Sequence, residues 1–174
     1  MTAPAKTRAF GFSLVELMIG IAVMLILATL AVPSFQTWMQ NSQIRTAAES
    51  IANGLQRARA EAVARNTDVD FVLGTGSSWT VSVVSAPVPP IDSRASNEGS
   101  KNVTVSALAI DLATPATSIR FNNLGGVVPS AASLAQVDLA AVGGDRNLRV
   151  TIGPGGNARM CDPSLTPGSS TRAC

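Results

Sequence analysis

Apolar residues form one long block near the start of the chain. No charged residue occurs over residues 17–32, and the block over residues 12–33 contains 22 residues. As a helix with a rise of ~1.5 Å per residue it would be about 33 Å long, which matches the roughly 30 Å hydrocarbon core of a bilayer. The pattern therefore predicts a membrane-spanning helix over residues 12–33, with the carboxylate of Glu16 near its start.

The apolar block has three possible roles, and the Glu16 carboxylate helps to choose between them. A cleaved secretory signal has a shorter apolar region followed by an A-x-A-like site, and no such site follows here. A plain signal anchor would keep Lys6 and Arg8 in the cytoplasm. It would leave Glu16 unexplained, because a charge inside a membrane helix is costly and usually marks function. The third interpretation is an anchor in which Glu16 has a task of its own.

The helical pattern continues beyond the apolar block. Because proline lacks an N–H and clashes with the preceding turn, Pro33 predicts a kink in one long helix. An apolar stripe with helical spacing then predicts an amphipathic half over residues 34–66. The stripe consists of Ile44, Ala48, Ile51, Leu55, Ala58 and Ala62.

From Thr67 onward the apolar positions alternate with a period of two, which predicts strands. We expect three hairpins: residues 69–73 with 79–83, residues 119–121 with 127–128, and residues 134–142 with 148–152. A further strand is expected over residues 103–110, and a mobile, Pro-rich loop over residues 85–102. Residues 153–156, Gly-Pro-Gly-Gly, predict a type II turn. The fold class is α+β, with one long helix packed on antiparallel sheet.

The string Gly11-Phe12-Ser13-Leu14-Val15-Glu16 resembles the signal of type IV prepilins and pseudopilins. The resemblance implies that residues 1–11 are a leader peptide. A prepilin peptidase would cleave between Gly11 and Phe12 and would N-methylate Phe12. It further implies that Glu16 pairs with the terminal ammonium of a neighbouring subunit during assembly.

Residues 55–66, LQRARAEAVARN, resemble the helix signature of the GspH/FimT group of minor pilins and minor pseudopilins. Trp79 in a second strand, Ile119-Arg120-Phe121 before a glycine turn, and a C-terminal strand ending in a cysteine match as well. The resemblance implies a type IV pilin-like fold, with residues 67–174 as a β-rich periplasmic domain.

The chain contains two cysteines, Cys161 and Cys174, and no histidine. With the leader inside, the domain lies outside the cytoplasm, where disulfides persist. We therefore expect these cysteines to be paired, and two cysteines without a third ligand make a poor metal site. The absence of histidine excludes Ser-His-Asp and Cys-His catalysis. We expect no enzymatic activity, no cofactor and no metal.

Charge limits the range of partners. The chain carries 13 basic and 11 acidic residues, and loss of Lys6 and Arg8 with the leader leaves 11 of each. A net charge of zero argues against strong overall binding to nucleic acid. A local cluster remains near the C-terminus, formed by Arg146, Arg149, Arg159 and Arg172.

FimT-like pilins include DNA receptors with a Gly-Arg-x-Arg element beside a cysteine. Here Gly156, Arg159 and Cys161 match this element, but Asn157 replaces its first arginine. The candidate DNA contacts are therefore Arg159 and, if the disulfide loop brings them beside it, Arg146, Arg149 and Arg172. The resemblance thus implies a minor pilin anchored in the inner membrane, with other pilins and the prepilin peptidase as partners and duplex DNA as a further candidate. A minor pseudopilin of type II secretion is the alternative.

Overall fold

The computed structural model describes residues 12–168 and 170–174. Its one long helix, α1, spans Leu14–Arg65 and runs through Pro33. The chain forms two compact units, residues 1–36 and 37–174. In the first unit the described apolar side chains are exposed, and α1 contains a stretch that is long and apolar enough to cross a membrane. The predicted long helix is present. The predicted bend of the helix at Pro33 stays a prediction.

The predicted apolar stripe of α1 is buried at all six positions, together with Ala47, Ser50 and Gly54. The helix ends at Arg65 because Asn66 adopts a left-handed φ of 51°. The Asn66 N–H donates to the Val63 carbonyl, and the Thr67 N–H donates to the Ala62 carbonyl. These two bonds form a Schellman cap, which satisfies carbonyls that the helix leaves unpaired.

Two four-stranded antiparallel sheets complete the second unit. The first sheet has the order β3-β2-β1-β5, and the second has the order β4-β6-β7-β8. The strands are β1 (Val69–Leu73), β2 (Trp79–Val83), β3 (Asp92–Arg94), β4 (Val103–Ala109), β5 (Ser118–Phe121), β6 (Leu134–Ala141), β7 (Leu148–Ile152) and β8 (Ala158–Cys161). The architecture confirms the predicted α+β fold.

The hairpins β1–β2 and β6–β7 are confirmed, with Val69 opposite Val83 and Leu139 opposite Leu148. The second predicted hairpin is present in a short form, and β5 also pairs along its whole length with β1. The returning chain meets β5 through the bridge between Phe121 and Val127 and through the Val128 N–H, which donates to the Arg120 carbonyl at 2.9 Å. Burial, and not proximity in sequence, therefore decides the main partner of β5.

Two smaller expectations also need correction. The loop over residues 85–102 contains β3, which pairs with β2 and places Arg94 opposite Trp79. The turn over residues 153–156 is present, with the Gly156 N–H donating to the Gly153 carbonyl. It is not of type II, because the positive φ lies at Gly156 instead of Gly155.

The core of the second unit lies between α1 and the sheets. Phe71 and Trp79 stack with ring centroids 5.9 Å apart. The indole N–H of Trp79 donates to Ser50 Oγ at 2.8 Å, so this large side chain is buried without an unpaired donor. Gly54 gives the two rings room, because a Cβ there would lie 2.8 Å from Phe71 Cε2.

Candidate functional site

The N-terminal candidate site begins with a capped helix. The backbone N–H of Glu16 donates to Ser13 Oγ at 3.2 Å, and α1 starts at Leu14. Ser13 is therefore the N-cap and Glu16 is the third helical residue, which is the spacing of a capping box. Phe12 precedes the cap and is exposed, and Gly11 lies outside the described residues.

The capping role of Ser13 was missed at the sequence level, although Ser-x-x-Glu before an apolar run is its usual signal. The cap fixes where the helix begins, and so it places the Glu16 side chain in the first turn. A carboxylate in that position is favoured by the partial positive charge at a helix N-terminus. The arrangement combines an exposed, non-helical residue 12 with a carboxylate one turn further on.

The C-terminal candidate site is a closed tail. Cys161, the last residue of β8, forms a disulfide with Cys174. The Asp162 N–H donates to the Arg172 carbonyl at 2.7 Å, and Asp162 and Ala173 form a parallel bridge. The end of the chain therefore returns to the edge of β8 and is held there by covalent and hydrogen bonds.

Two of the four arginines proposed for DNA binding have partners within the protein. Arg159 Nη2 donates to the Thr171 and Ala173 carbonyls at 3.1 and 3.0 Å, so its guanidinium holds the tail. Arg149 Nε lies 2.6 Å from Asp138 Oδ1 on the neighbouring strand. The Arg149 pair spans the β6–β7 hairpin, whereas the Arg159 contacts depend on the return of the tail, of which the local pattern of charges gave no sign.

The other two arginines converge on one carboxylate. The pKa of Asp162 is lowered, first by hydrogen bonds from the Ser164 hydroxyl and backbone N–H, and further by the charges of Arg146 and Arg172. Both arginines are exposed. The disulfide-closed tail thus brings Arg172 within electrostatic reach of the carboxylate that Arg146 also influences, while Arg149 and Arg159 bind partners within the fold.

Gly156 of the predicted DNA-binding element has a packing role. Its φ is 76°, and a Cβ at this position would lie 2.6 Å from the Gly125 carbonyl oxygen and 3.0 Å from Phe121 Cε1. Any side chain would separate the turn from the loop it contacts. Beside this turn an open groove of about 660 Å³ is lined by helix residues, by Leu124 and by Asn157.

Asp70 on β1 forms an ion pair that the alternating pattern of this strand did not reveal. Arg120 on β5 donates from Nε and Nη2 to the two Asp70 carboxylate oxygens at 2.8 and 3.0 Å. The residues are directly opposite in the register of β1 and β5. A bidentate pair of this kind joins the two strands and occupies both oxygens of the Asp70 carboxylate.

Comparisons with known proteins agree with this architecture. A family model described as type II transport protein GspH matches residues 47–156, and one described as prokaryotic N-terminal methylation motif matches residues 6–32. No curated protein matches the chain significantly.

Two solved structures share the fold. The type IV minor pilin FimU of Pseudomonas aeruginosa is 18% identical, with a TM-score of 0.56 over 76% of this chain and 98% of FimU. The minor pseudopilin EpsH from the type 2 secretion system of Vibrio cholerae is 17% identical, with a TM-score of 0.52 over 71% of this chain and 99% of EpsH.

Proposed function

Because the chain belongs to the GspH family, we propose that it is a minor pilin of a type IV pilus and that it acts as a structural subunit without catalytic activity. The single observation that carries the proposal is the N-terminal unit: a capped, exposed apolar helix with Glu16 in its first turn. Before assembly the helix anchors the protein in the inner membrane, with residues 67–174 in the periplasm. Its partners are other pilins and the prepilin peptidase.

Processing would remove residues 1–11 by cleavage between Gly11 and Phe12, followed by N-methylation of Phe12. The cap at Ser13 supports this step, because it keeps residue 12 outside the helix. A peptide bond next to a non-helical residue is easier for a protease to accommodate than one inside a hydrogen-bonded turn. The apolar anchor stays with the mature subunit.

During assembly Glu16 would pair with the terminal ammonium of a neighbouring subunit. An unpaired charge in apolar surroundings costs several kcal/mol, so pairing would favour one register between subunits. Glu16→Ala should therefore leave membrane insertion intact and reduce incorporation into sheared filaments. Glu49→Ala is the matched control, because it removes an exposed carboxylate of the same helix outside the apolar segment. Equal incorporation of both variants would contradict the pairing.

The alternative is a minor pseudopilin of type II secretion. The disulfide that closes the tail favours the pilus, since C-terminal disulfides are common in pilins. Deletion of the gene separates the two roles. Loss of surface filaments with normal protein secretion supports the pilus, and loss of secretion with normal filaments supports the pseudopilin.

A second candidate function is binding of duplex DNA after assembly, favoured by the convergence of Arg146 and Arg172 on the Asp162 carboxylate. Phosphate contacts of this kind are independent of sequence and weaken steeply with salt. Arg146→Gln should lower affinity and flatten the salt slope by about one unit. Arg120→Gln, which changes an arginine already paired with Asp70, should not. Absence of binding at low salt would remove this candidate.

A further inference from the structure

The turn between β6 and β7 is fastened to α1 through one asparagine. Asn41 Nδ2 donates to Asp145 Oδ1 at 2.6 Å, and Asn41 Oδ1 accepts from the backbone N–H groups of Asp145 and Arg146 at 3.2 and 3.3 Å. Gly144 lies so close that a Cβ there would be 3.0 Å from Ile44 Cδ1. The position of the turn relative to this part of the helix is therefore fixed.

The same turn presents an apolar side chain to solvent. The Gly144 N–H donates to the Ala141 carbonyl, and Gly143 has a φ of 82°, so Val142 stands at the apex of a tight turn. Val142 is 90% exposed, and Arg146 follows it on the same turn, also exposed. Because Val142 has so little contact with the core, its burial contributes almost nothing to folding.

Trp38 precedes Asn41 by three residues, which is about 4.5 Å along a helix. It is 64% exposed, and the amphipathic indole favours a boundary between apolar and wet surroundings. No charged residue occurs between Glu16 and Arg45, and the polar residues over 34–43 are all uncharged. An exposed tryptophan in an uncharged stretch that follows an apolar span is typical of the membrane–water interface.

We propose that Trp38, Val142 and Arg146 form a surface that contacts the lipid headgroups of the membrane in which α1 is anchored. The proposal rests on the membrane anchoring given under the proposed function, because Trp38 follows the apolar segment closely in the sequence. Trp38 and Val142 would enter the headgroup layer, and the Arg146 guanidinium would bind lipid phosphate. Asp162 offsets the charges of Arg146 and Arg172, so apolar insertion supplies most of the binding.

The first test measures the depth of Trp38 in phospholipid vesicles that contain the full chain. The protein has two tryptophans, and Trp79 is buried in the core. Trp38→Phe therefore reports Trp79 alone, and its signal is subtracted from that of the wild type. Bromines near the headgroup should quench Trp38 more strongly than bromines near the chain ends, and neither should quench Trp79.

The second test measures amide hydrogen exchange over residues 142–147 in the same vesicles, with and without the Val142→Asp substitution. The matched control is Ile110→Asp, because Ile110 is 65% exposed at the opposite end of the same sheet. Val103 pairs with Ala141 at one end of this sheet, and Ala109 pairs with Leu134 at the other. Asp145 and Arg146 keep the protection that their hydrogen bonds to Asn41 give them. Val142→Asp should remove the additional protection that the vesicles give to residues 142–147, and Ile110→Asp should leave it unchanged.

The outcomes separate this inference from the anchoring on which it rests. A chain that stays in the membrane, with Trp38 unquenched by every brominated lipid and exchange unaffected by Val142→Asp, overturns the headgroup contact and leaves the anchor standing. A chain that is released from vesicles by alkaline extraction overturns both. Shallow quenching of Trp38 together with the selective effect of Val142→Asp supports the contact.

Discussion

Gly54→Ala is a substitution whose effect depends on two opposing contributions in α1. Alanine is a better helix former than glycine by about 1 kcal/mol in a helix interior. Against this, the new Cβ would lie 2.8 Å from Phe71 Cε2 and 3.0 Å from two atoms of the Trp79 ring. Real Cβ atoms do not approach other atoms so closely, so the rings or the helix must move.

The rings have little freedom to move. Trp79 is hydrogen-bonded to Ser50, which lies on α1 together with Gly54, and it is stacked on Phe71. Overpacking of a well-filled core costs typically about 1–3 kcal/mol. The clash therefore outweighs the gain in helix propensity, and we expect Gly54→Ala to lower the free energy of unfolding by about 1 kcal/mol.

The assay is urea unfolding of residues 37–174, the compact second unit. Ala60→Gly is the matched control, since Ala60 is exposed in the same helix and its replacement measures helix propensity without a clash. We expect both variants to be less stable than the wild type, although their changes in propensity are opposite. A Gly54→Ala protein that is more stable than the wild type would refute the proposed packing.

Three further results are expected. Ser50→Ala leaves the buried indole N–H of Trp79 without its acceptor, and urea unfolding should show a loss of about 1–3 kcal/mol. Arg159→Gln removes two hydrogen bonds to the tail, so limited proteolysis should cut residues 162–173 faster while the domain stays folded. Hydrogen bonds from the hydroxyl and backbone N–H of Thr114 lower the pKa of Asp111 from 3.8 to about 2. Because this folded-state pKa is depressed, the ionised Asp111 stabilises the fold above its unfolded pKa, and the stabilisation is lost as the pH falls toward 2. An NMR titration of Asp111 with its midpoint at the usual carboxyl value would contradict the lowered pKa.

Features set by local periodicity were predictable from the sequence. The helical stripe of α1 and the hairpins β1–β2 and β6–β7 rest on side-chain spacing and on short turns, both of which can be read directly. The family followed from the N-terminal string and the helix signature. The signal for the cap at Ser13 was also present, because a serine three residues before a glutamate opens the apolar block.

Features set by distant contacts were not predictable. The partner of β5 is β1, and the choice depends on burial of Phe71 and Phe121 in a common core. The strand β3 has the polar sequence Asp-Ser-Arg and pairs because β2 offers a free edge. Likewise, the tail carbonyls that bind Arg159 come within reach only when the chain end returns to β8.

The most direct test of the account is the N-terminus of the mature protein. The intact mass is measured for the chain purified from membranes of cells with and without an active prepilin peptidase. With the peptidase, the account predicts a chain that lacks residues 1–11 and begins at N-methylated Phe12; without it, the chain should keep its leader. An unchanged precursor in both cells, or cleavage at any bond other than Gly11–Phe12, would contradict the assignment as a pilin subunit.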